Sequence, residues 1–278
     1  MKLHHRTTAF LATLTLACSA QAAIQTVEVR QGGPIVPLQG VQTAWWEAAA
    51  LTNPHGTGHL EFSDLLVGAL NIANIGVAAI APSVLTDSDV MSVSAAVTSI
   101  GGQMNQDTYN FTFTKLGTSG GALLSASALL SNGKKNSATT GGSLHLSNIT
   151  VNTATRGVYA DLVGGNGVGS LHQMLVWNYG AIAGPLTQPW GYGYDDTLRS
   201  ESTVSSLVIT TEAFDIFAKS LGLTAFGKSS MAGITDYGVM SASVEVDIVA
   251  VPEPASHALM GLGLVGLTMA VRRAKASA

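Results

Sequence analysis

Asn110-Phe111-Thr112-Phe113-Thr114 alternates polar and aromatic side chains without a break. A period of two puts Phe111 and Phe113 on one side of an extended chain and the polar residues on the other. That is a strand with one buried and one wetted face. The pattern recurs where Val27 and Val29 alternate with Thr26, Glu28 and Arg30, in Ser143-Leu144-His145-Leu146-Ser147, and in Ser243-Val244-Glu245-Val246-Asp247. Turn signals separate these runs: Gly32-Gly33-Pro34, Gly101-Gly102, Ser131-Asn132-Gly133, Gly141-Gly142 and Gly164-Gly165-Asn166-Gly167. Short strands joined by glycine-rich turns predict a mostly β body over residues 23–250, a β-sandwich or jelly roll with one or two short helices.

The helices are placed by caps. Thr43 would cap Ala44 to Leu51, ended by Asn53-Pro54, and Thr211 would cap Glu212 to Leu221, stopped by Gly222. Residues 65–81, LLVGALNIANIGVAAIA, are apolar enough to suggest a membrane helix. Asn71 and Asn74 make that costly in lipid, so one or two buried strands are predicted there instead. Gly58 to Asp64 echoes Gly142 to Asn148, a strand followed by a turn in each case, but no short regular repeat exists.

Of the 278 residues 46% are hydrophobic and 11% charged, so the chain can bury a sizeable core. Residues 23–250 hold eight basic and sixteen acidic side chains, with no basic stripe, which argues against nucleic-acid binding. The single cysteine, Cys18, lies in the N-terminal apolar segment. Its removal would leave no thiol for a disulfide, a metal or a nucleophile.

Candidate chemistry is sparse. His55, His59 and Glu61 could bind zinc, but His55-Gly56-Thr57-Gly58-His59 is not the helical H-E-x-x-H pattern, and a polar loop is the plainer reading. Gly164 to Gly169 lacks the closing aspartate of a calcium repeat and reads as a turn. Asp87 and Asp89, Asp195 and Asp196, and Glu245 and Asp247 have calcium-type oxygens, against which stands ordinary surface acid. Trp190-Gly191-Tyr192-Gly193-Tyr194 beside Asp195 and Asp196 can make a sugar-stacking platform, with Trp45, Trp46, Trp177 and Tyr179 as further aromatics. Core packing is the simpler role for Trp177, which follows Met174-Leu175-Val176. No nucleophile elbow, triad spacing or cofactor fingerprint is present, so neither a cofactor nor a metal is expected.

The two ends read as addresses. Lys2 and Arg6, the apolar stretch Ala9 to Cys18 and Ala20-Gln21-Ala22 make a signal peptide over 1–22, cleaved before Ala23. A lipoprotein signal at Cys18 fits less well, because Leu16 stands one position too close. Ala255 to Val271 carries no charge and, as a helix, spans about 25 Å, the short end of a bilayer core. Arg272, Arg273 and Lys275 follow, which keeps that end cytoplasmic and the body outside. Pro252-Glu253-Pro254 before the helix is extended, accessible peptide.

Val251-Pro252-Glu253-Pro254, an apolar helix and Arg272-Arg273 in that order resemble the PEP-CTERM sorting signal of Gram-negative bacteria. The resemblance covers residues 251–275, and 251–278 is read as the sorting domain. It implies export through the inner membrane, where the helix is a transient anchor, and cleavage near Pro252-Glu253-Pro254 by an exosortase. Delivery to the cell surface or an extracellular polysaccharide matrix follows. The alternative is an ordinary C-terminal membrane anchor. The same tail is also labelled an ice-binding-protein C-terminal domain, but the body has no regular Thr-x-Thr ladders. Leu146 to Ile149, Val158 to Leu162 and Phe217 to Thr224 loosely resemble other PEP-CTERM proteins, which implies no activity.

The sequence thus points to a non-enzymatic structural or adhesive protein of the surface or matrix. Its partners would be signal peptidase, exosortase and, once outside, polysaccharide. The rivals are a carbohydrate-binding module using Trp190, Tyr192 and Tyr194, and a metal-dependent extracellular enzyme using His55, His59 and Glu61.

Overall fold

The computed structural model describes residues 24–42, 48–87, 89, 91–189 and 197–251. They begin with β1 (Ile24–Arg30), β2 (Val36–Gln42), β3 (Ala48–Phe62), α1 (Asp64–Ile72), β4 (Ile75–Ile80) and β5 (Val84–Asp87). Then come β6 (Ser92–Asn105), β7 (Asn110–Thr118), β8 (Gly121–Ala126), β9 (Gly142–Asn152), β10 (Gly157–Gly164) and β11 (Gly169–Ala183). The last are β12 (Thr187–Pro189), β13 (Thr197–Ile209), α2 (Thr211–Ser220), α3 (Ala225–Ala232) and β14 (Gly238–Val251). The body is mostly β, as the alternation predicts, and the four alternating runs fall in β1, β7, β9 and β14.

The strands form one antiparallel sheet in the order β12-β7-β6-β3-β14-β13-β11-β10-β9-β8-β4. β7 also pairs with β9, so β7, β6, β3, β14, β13, β11, β10 and β9 close into a ring of eight. This differs from the expected sandwich or jelly roll of two separate sheets. Closure pairs the eight ring strands on both sides, while β1, β2, β4, β5 and β12 each pair with one strand only. β6 serves two neighbourhoods: its first half lies between β3 and β5, its second between β1 and β7.

The inward side chains fill two cores. One gathers Val29, Leu51, Met104, Phe111 and Val246. The rings of Phe111 and Phe113 meet edge to face at 5.0 Å, a geometry their quadrupoles favour. The other core gathers Leu70, Leu144, Leu207, Trp177 and Phe217 beneath the helices. Trp177 is 1% exposed and stands edge-on to Phe217 at 6.5 Å, so core packing is its role. Each large side chain so buried contributes about 1.5–3 kcal/mol. Between the cores lies an apolar cavity of about 50 Å³ lined by Leu60, Val93, Phe113, Ile149, Val204 and Met240.

All three helices start at a hydroxyl cap. Ser63, Thr210 and Thr224 accept from the backbone N–H of Leu66, Ala213 and Gly227 at 3.2, 3.2 and 3.3 Å. Each hydroxyl also donates elsewhere, to the carbonyls of Asp236, Leu175 and Ser137, so the caps fasten the helices to the body. α2 confirms the second expected helix, with Thr210 rather than Thr211 as its cap. α3 was not expected.

Three expectations are corrected. Residues 65–81 are not all strand: α1 takes the first part and β4 the second, because Ser63 caps and Asp64 favours the first turn. The helix expected over 44–51 is overturned from residue 48, where β3 begins; 43–47 lie outside the described residues. Ala49, Ala50 and Leu51 are buried and pair with β14, and that pairing outweighs alanine's helix preference. Gly101-Gly102 is not a turn but the middle of β6. A Cβ on Gly102 would lie 2.0 Å from Cζ of the buried Phe111 ring, so glycine is there to let the ring pack.

Gly102→Ala is therefore expected to destabilise by at least about 1–3 kcal/mol, the usual range for overpacking. Adding Phe111→Leu should recover part of that loss. Urea midpoints of the two variants check it; equal midpoints for wild type and Gly102→Ala would refute the contact.

Candidate functional site

The most organised polar group in the body centres on Asp161 of β10. Both neighbouring strands bulge beside it: the β9 register shifts between Tyr159 and Asp161, and the β11 register between Ala160 and Leu162. The bulges put Asn148 of β9 and Gln173 of β11 in the left-handed region, at φ 49° and 44°. Asparagine tolerates that conformation; glutamine adopts it less readily and needs surrounding contacts to hold it. Asp161 supplies them. Its Oδ2 accepts from Asn148 Nδ2 at 2.9 Å, and its Oδ1 accepts from the Gln173 backbone N–H at 2.8 Å and from Gln173 Nε2 at 3.2 Å. Gln173 Nε2 also donates to the Asn148 carbonyl at 2.9 Å.

The chemistry fixes how these amides face. An ionised carboxylate only accepts, so both amide nitrogens turn toward Asp161 and both amide oxygens turn away. Burial would push the Asp161 carboxyl up, but the bonds from Asn148 and Gln173, with His172 nearby at 3.8 Å, hold it below the usual 3.8.

Asn148 and Gln173 line one end of a cleft of about 380 Å³ that also touches Arg30, Ser99, Lys115 and Thr150. A second cleft of about 330 Å³ lies beside it, and the two share Glu28 and Lys115. Together they make a polar groove on the outer face of β1, β6, β7 and β9. The register explains the depression. Ser99 faces Gly117, which faces Thr150, and Gly101 faces Lys115, which faces Asn152. Gly117 has no side chain and lies beside the Ser99 hydroxyl, 2.3 Å from where its Cβ would be, which keeps the floor low. Along the rim Glu28 Oε1 accepts from Arg30 Nη2 at 2.8 Å and faces Lys115 Nζ at 3.9 Å. These pairs are well exposed and add little stability, but they position the charges.

The zinc candidates sit on β3, not in a loop. His55, His59 and Glu61 share its outer face, yet His59 is four residues along an extended strand from His55, about 13 Å. One ion cannot bridge them. His55 Nε2 instead faces Glu245 Oε2 at 3.6 Å, and Glu245 Oε1 faces Arg199 Nε at 3.3 Å. Asp247 accepts from Asn53 Nδ2 at 2.8 Å, and Asp87 from the Asp89 N–H at 2.7 Å. Among the described residues no group of three or more His, Cys, Asp or Glu is placed to hold a metal. Gly164 to Gly169 is the β10–β11 turn, with Asn166 Nδ2 donating to the Gly141 and Ser220 carbonyls at 3.0 Å.

Several expected sites lie outside the described residues: Ala20, Ala22 and Ala23; Trp45 and Trp46; Trp190, Tyr192 and Tyr194; Asp195 and Asp196; and Pro252, Glu253, Pro254, Arg272 and Arg273. So does the apolar run 255–271, and among the described residues no helix is long and apolar enough to cross a membrane. Asn148 and Asp161 fall in two of the three stretches that resembled other sorted proteins, and the fold brings them together. Gln173 carried no signal in the sequence.

The family model described as the PEP-CTERM protein-sorting motif matches residues 250–274. No curated protein and no solved structure matches the chain. The chain therefore carries a PEP-CTERM sorting motif, and this marks it as an exported protein sorted to the cell surface by an exosortase.

Because the Asp161 carboxyl is held below its ordinary value, its contribution to stability is present above that value and is lost as pH falls through and below it. Asp161→Asn, which sets an amide donor against amide donors, is expected to cost about 1–3 kcal/mol at pH 7. The gap to wild type should narrow toward about pH 2–3. Urea unfolding at the two pH values checks this; a gap independent of pH would remove the electrostatic account.

Proposed function

We propose that the chain is the precursor of a non-enzymatic surface or matrix protein with a structural or adhesive role. The sorting motif at 250–274 carries this reading. In it, signal peptidase removes 1–22 and the helix over 255–271 holds the precursor in the inner membrane. An exosortase then cuts near Pro252-Glu253-Pro254, and Arg272 and Arg273 mark the cytoplasmic end. What supports a non-catalytic body is how its carboxylates are engaged. Asp161, Glu245 and Asp247 each hold a neighbouring strand, through Asn148 and Gln173, through His55 and Arg199, and through Asn53. A closed sheet with short capped helices suits a protein that must persist outside the cell.

The polar groove favours a second reading, a carbohydrate-binding module, for which the sequence also offers Trp190, Tyr192 and Tyr194 as stacking candidates. A metal-dependent enzyme at His55, His59 and Glu61 is the weakest alternative, given their separation along β3.

Intact mass spectrometry of protein from separate cell fractions tests the sorting. The surface or medium should yield a species beginning at Ala23 and ending near Pro254. Replacing Pro252, Glu253 and Pro254 together by alanine should leave protein that retains 255–278 in the inner membrane. Identical processing of that variant would remove the proposed cleavage signal.

A further inference from the structure

We infer that the groove across β1, β6, β7 and β9 is a binding site for a polyhydroxylated chain, a saccharide. The inference rests on the reading of the protein as exported to the surface, and it assigns sugar contact to the described residues of this groove. Two fixed acceptors carry it. Asn148 and Gln173 have their amide nitrogens engaged by Asp161 and by the Asn148 carbonyl. Among the described residues no hydrogen bond of the protein reaches Asn148 Oδ1 or Gln173 Oε1. These oxygens are held by bulged backbone and a half-buried carboxylate, so a ligand hydroxyl that donates to them orders nothing further. Binding then loses little conformational entropy, which is the advantage of preorganisation.

The rest of the groove selects the ligand class. Lys115 and Arg30 offer donors on one rim, and the hydroxyls of Ser99 and Thr150 flank the glycine floor. Interspersed donors and acceptors match hydroxyl groups, each of which both donates and accepts. A phosphate-like anion fits less well, because Arg30 and Lys115 both face Glu28. A hard cation fits less well still, because Glu28 is the one carboxylate among the residues lining either cleft, and such ions take six or more oxygens. The cavity between the cores is too small and too apolar for a sugar. The groove volume of about 380 Å³ falls in the range of ligand clefts, about 300–1,000 Å³. Three strand spacings from β1 to β9 give it a length of about 14 Å. With the second cleft continuing past Lys115, an extended polymer fits better than a single small molecule.

Purified processed protein is run through gels containing the producing cell's extracellular polysaccharide, and is applied to an array of neutral and uronic-acid oligosaccharides. Wild type should be retarded and bind at least one array class. Asn148→Gly and Gln173→Gly keep the left-handed backbone and remove the amides; each should weaken binding about fivefold, the worth of about one hydrogen bond. Lys115→Ala with Arg30→Ala, at exposed positions, should also weaken it while leaving the melting temperature unchanged. No retention of wild type on any glycan overturns the inference. Binding that survives the groove changes but is lost in Trp190→Ala with Tyr192→Ala also overturns it. Cell fractionation is read separately: surface protein that binds no glycan leaves the sorting proposal intact, whereas protein confined to the inner membrane defeats that proposal whatever the array shows.

Discussion

Lys115 opposite Asn152, Leu116 opposite Val151 and Gly117 opposite Thr150 are the three pairs that close the sheet. Without them the β7 and β9 edges would be open at the middle of the body. Neighbouring bonds reinforce the seam: Thr153 N–H donates to the Thr114 carbonyl at 2.9 Å, and Thr118 Oγ1 donates to the Ile149 carbonyl at 3.3 Å. Closure gives every inward side chain of the eight strands an opposite wall. It separates the Phe111 core from the Trp177 core without splitting the body, and it puts the end of the second core under the three capped helices.

The seam also determines where the outer face is concave. Gly117 sits in it, and a Cβ there would turn the Ser99 hydroxyl of β6 aside. Small residues of β6, β7 and β9 leave a low floor between rims of long ones. Asp161, two strands away, orders the far end by holding both flanking strands in their bulges. Packing and polar presentation are therefore not separate features of this surface. Altering the closure would move the groove with it.

The tail and the body carry information of different kinds. The sorting motif is a linear order of proline, apolar and basic residues, legible in the sequence alone. The groove has no linear form. Its residues come from β1, β6, β7, β9 and β11, and only register brings Arg30, Ser99, Lys115, Asn148 and Gln173 to one face.

The sequence by itself determined the strand character of β1, β7, β9 and β14, since a period of two is a local property of side-chain direction. It determined α2 from its threonine and glycine boundaries, and the export and sorting of the chain from 250–274. Ser63 and Asp64 held the signal for α1 too, but a largely apolar run over 65–81 with no clear period obscured it. Other features were settled only in three dimensions. Ala49 to Leu51 became strand because β14 was there to pair with them, and Gly102 stayed within a strand because a ring from β7 fills its side-chain space. The closure of the ring joins β7 to β9 past β8, and the Asn148–Asp161–Gln173 network depends on bulges in three successive strands. Hydrogen-bond register between distant strands is a property of the assembled sheet, and no local pattern of residues encodes it.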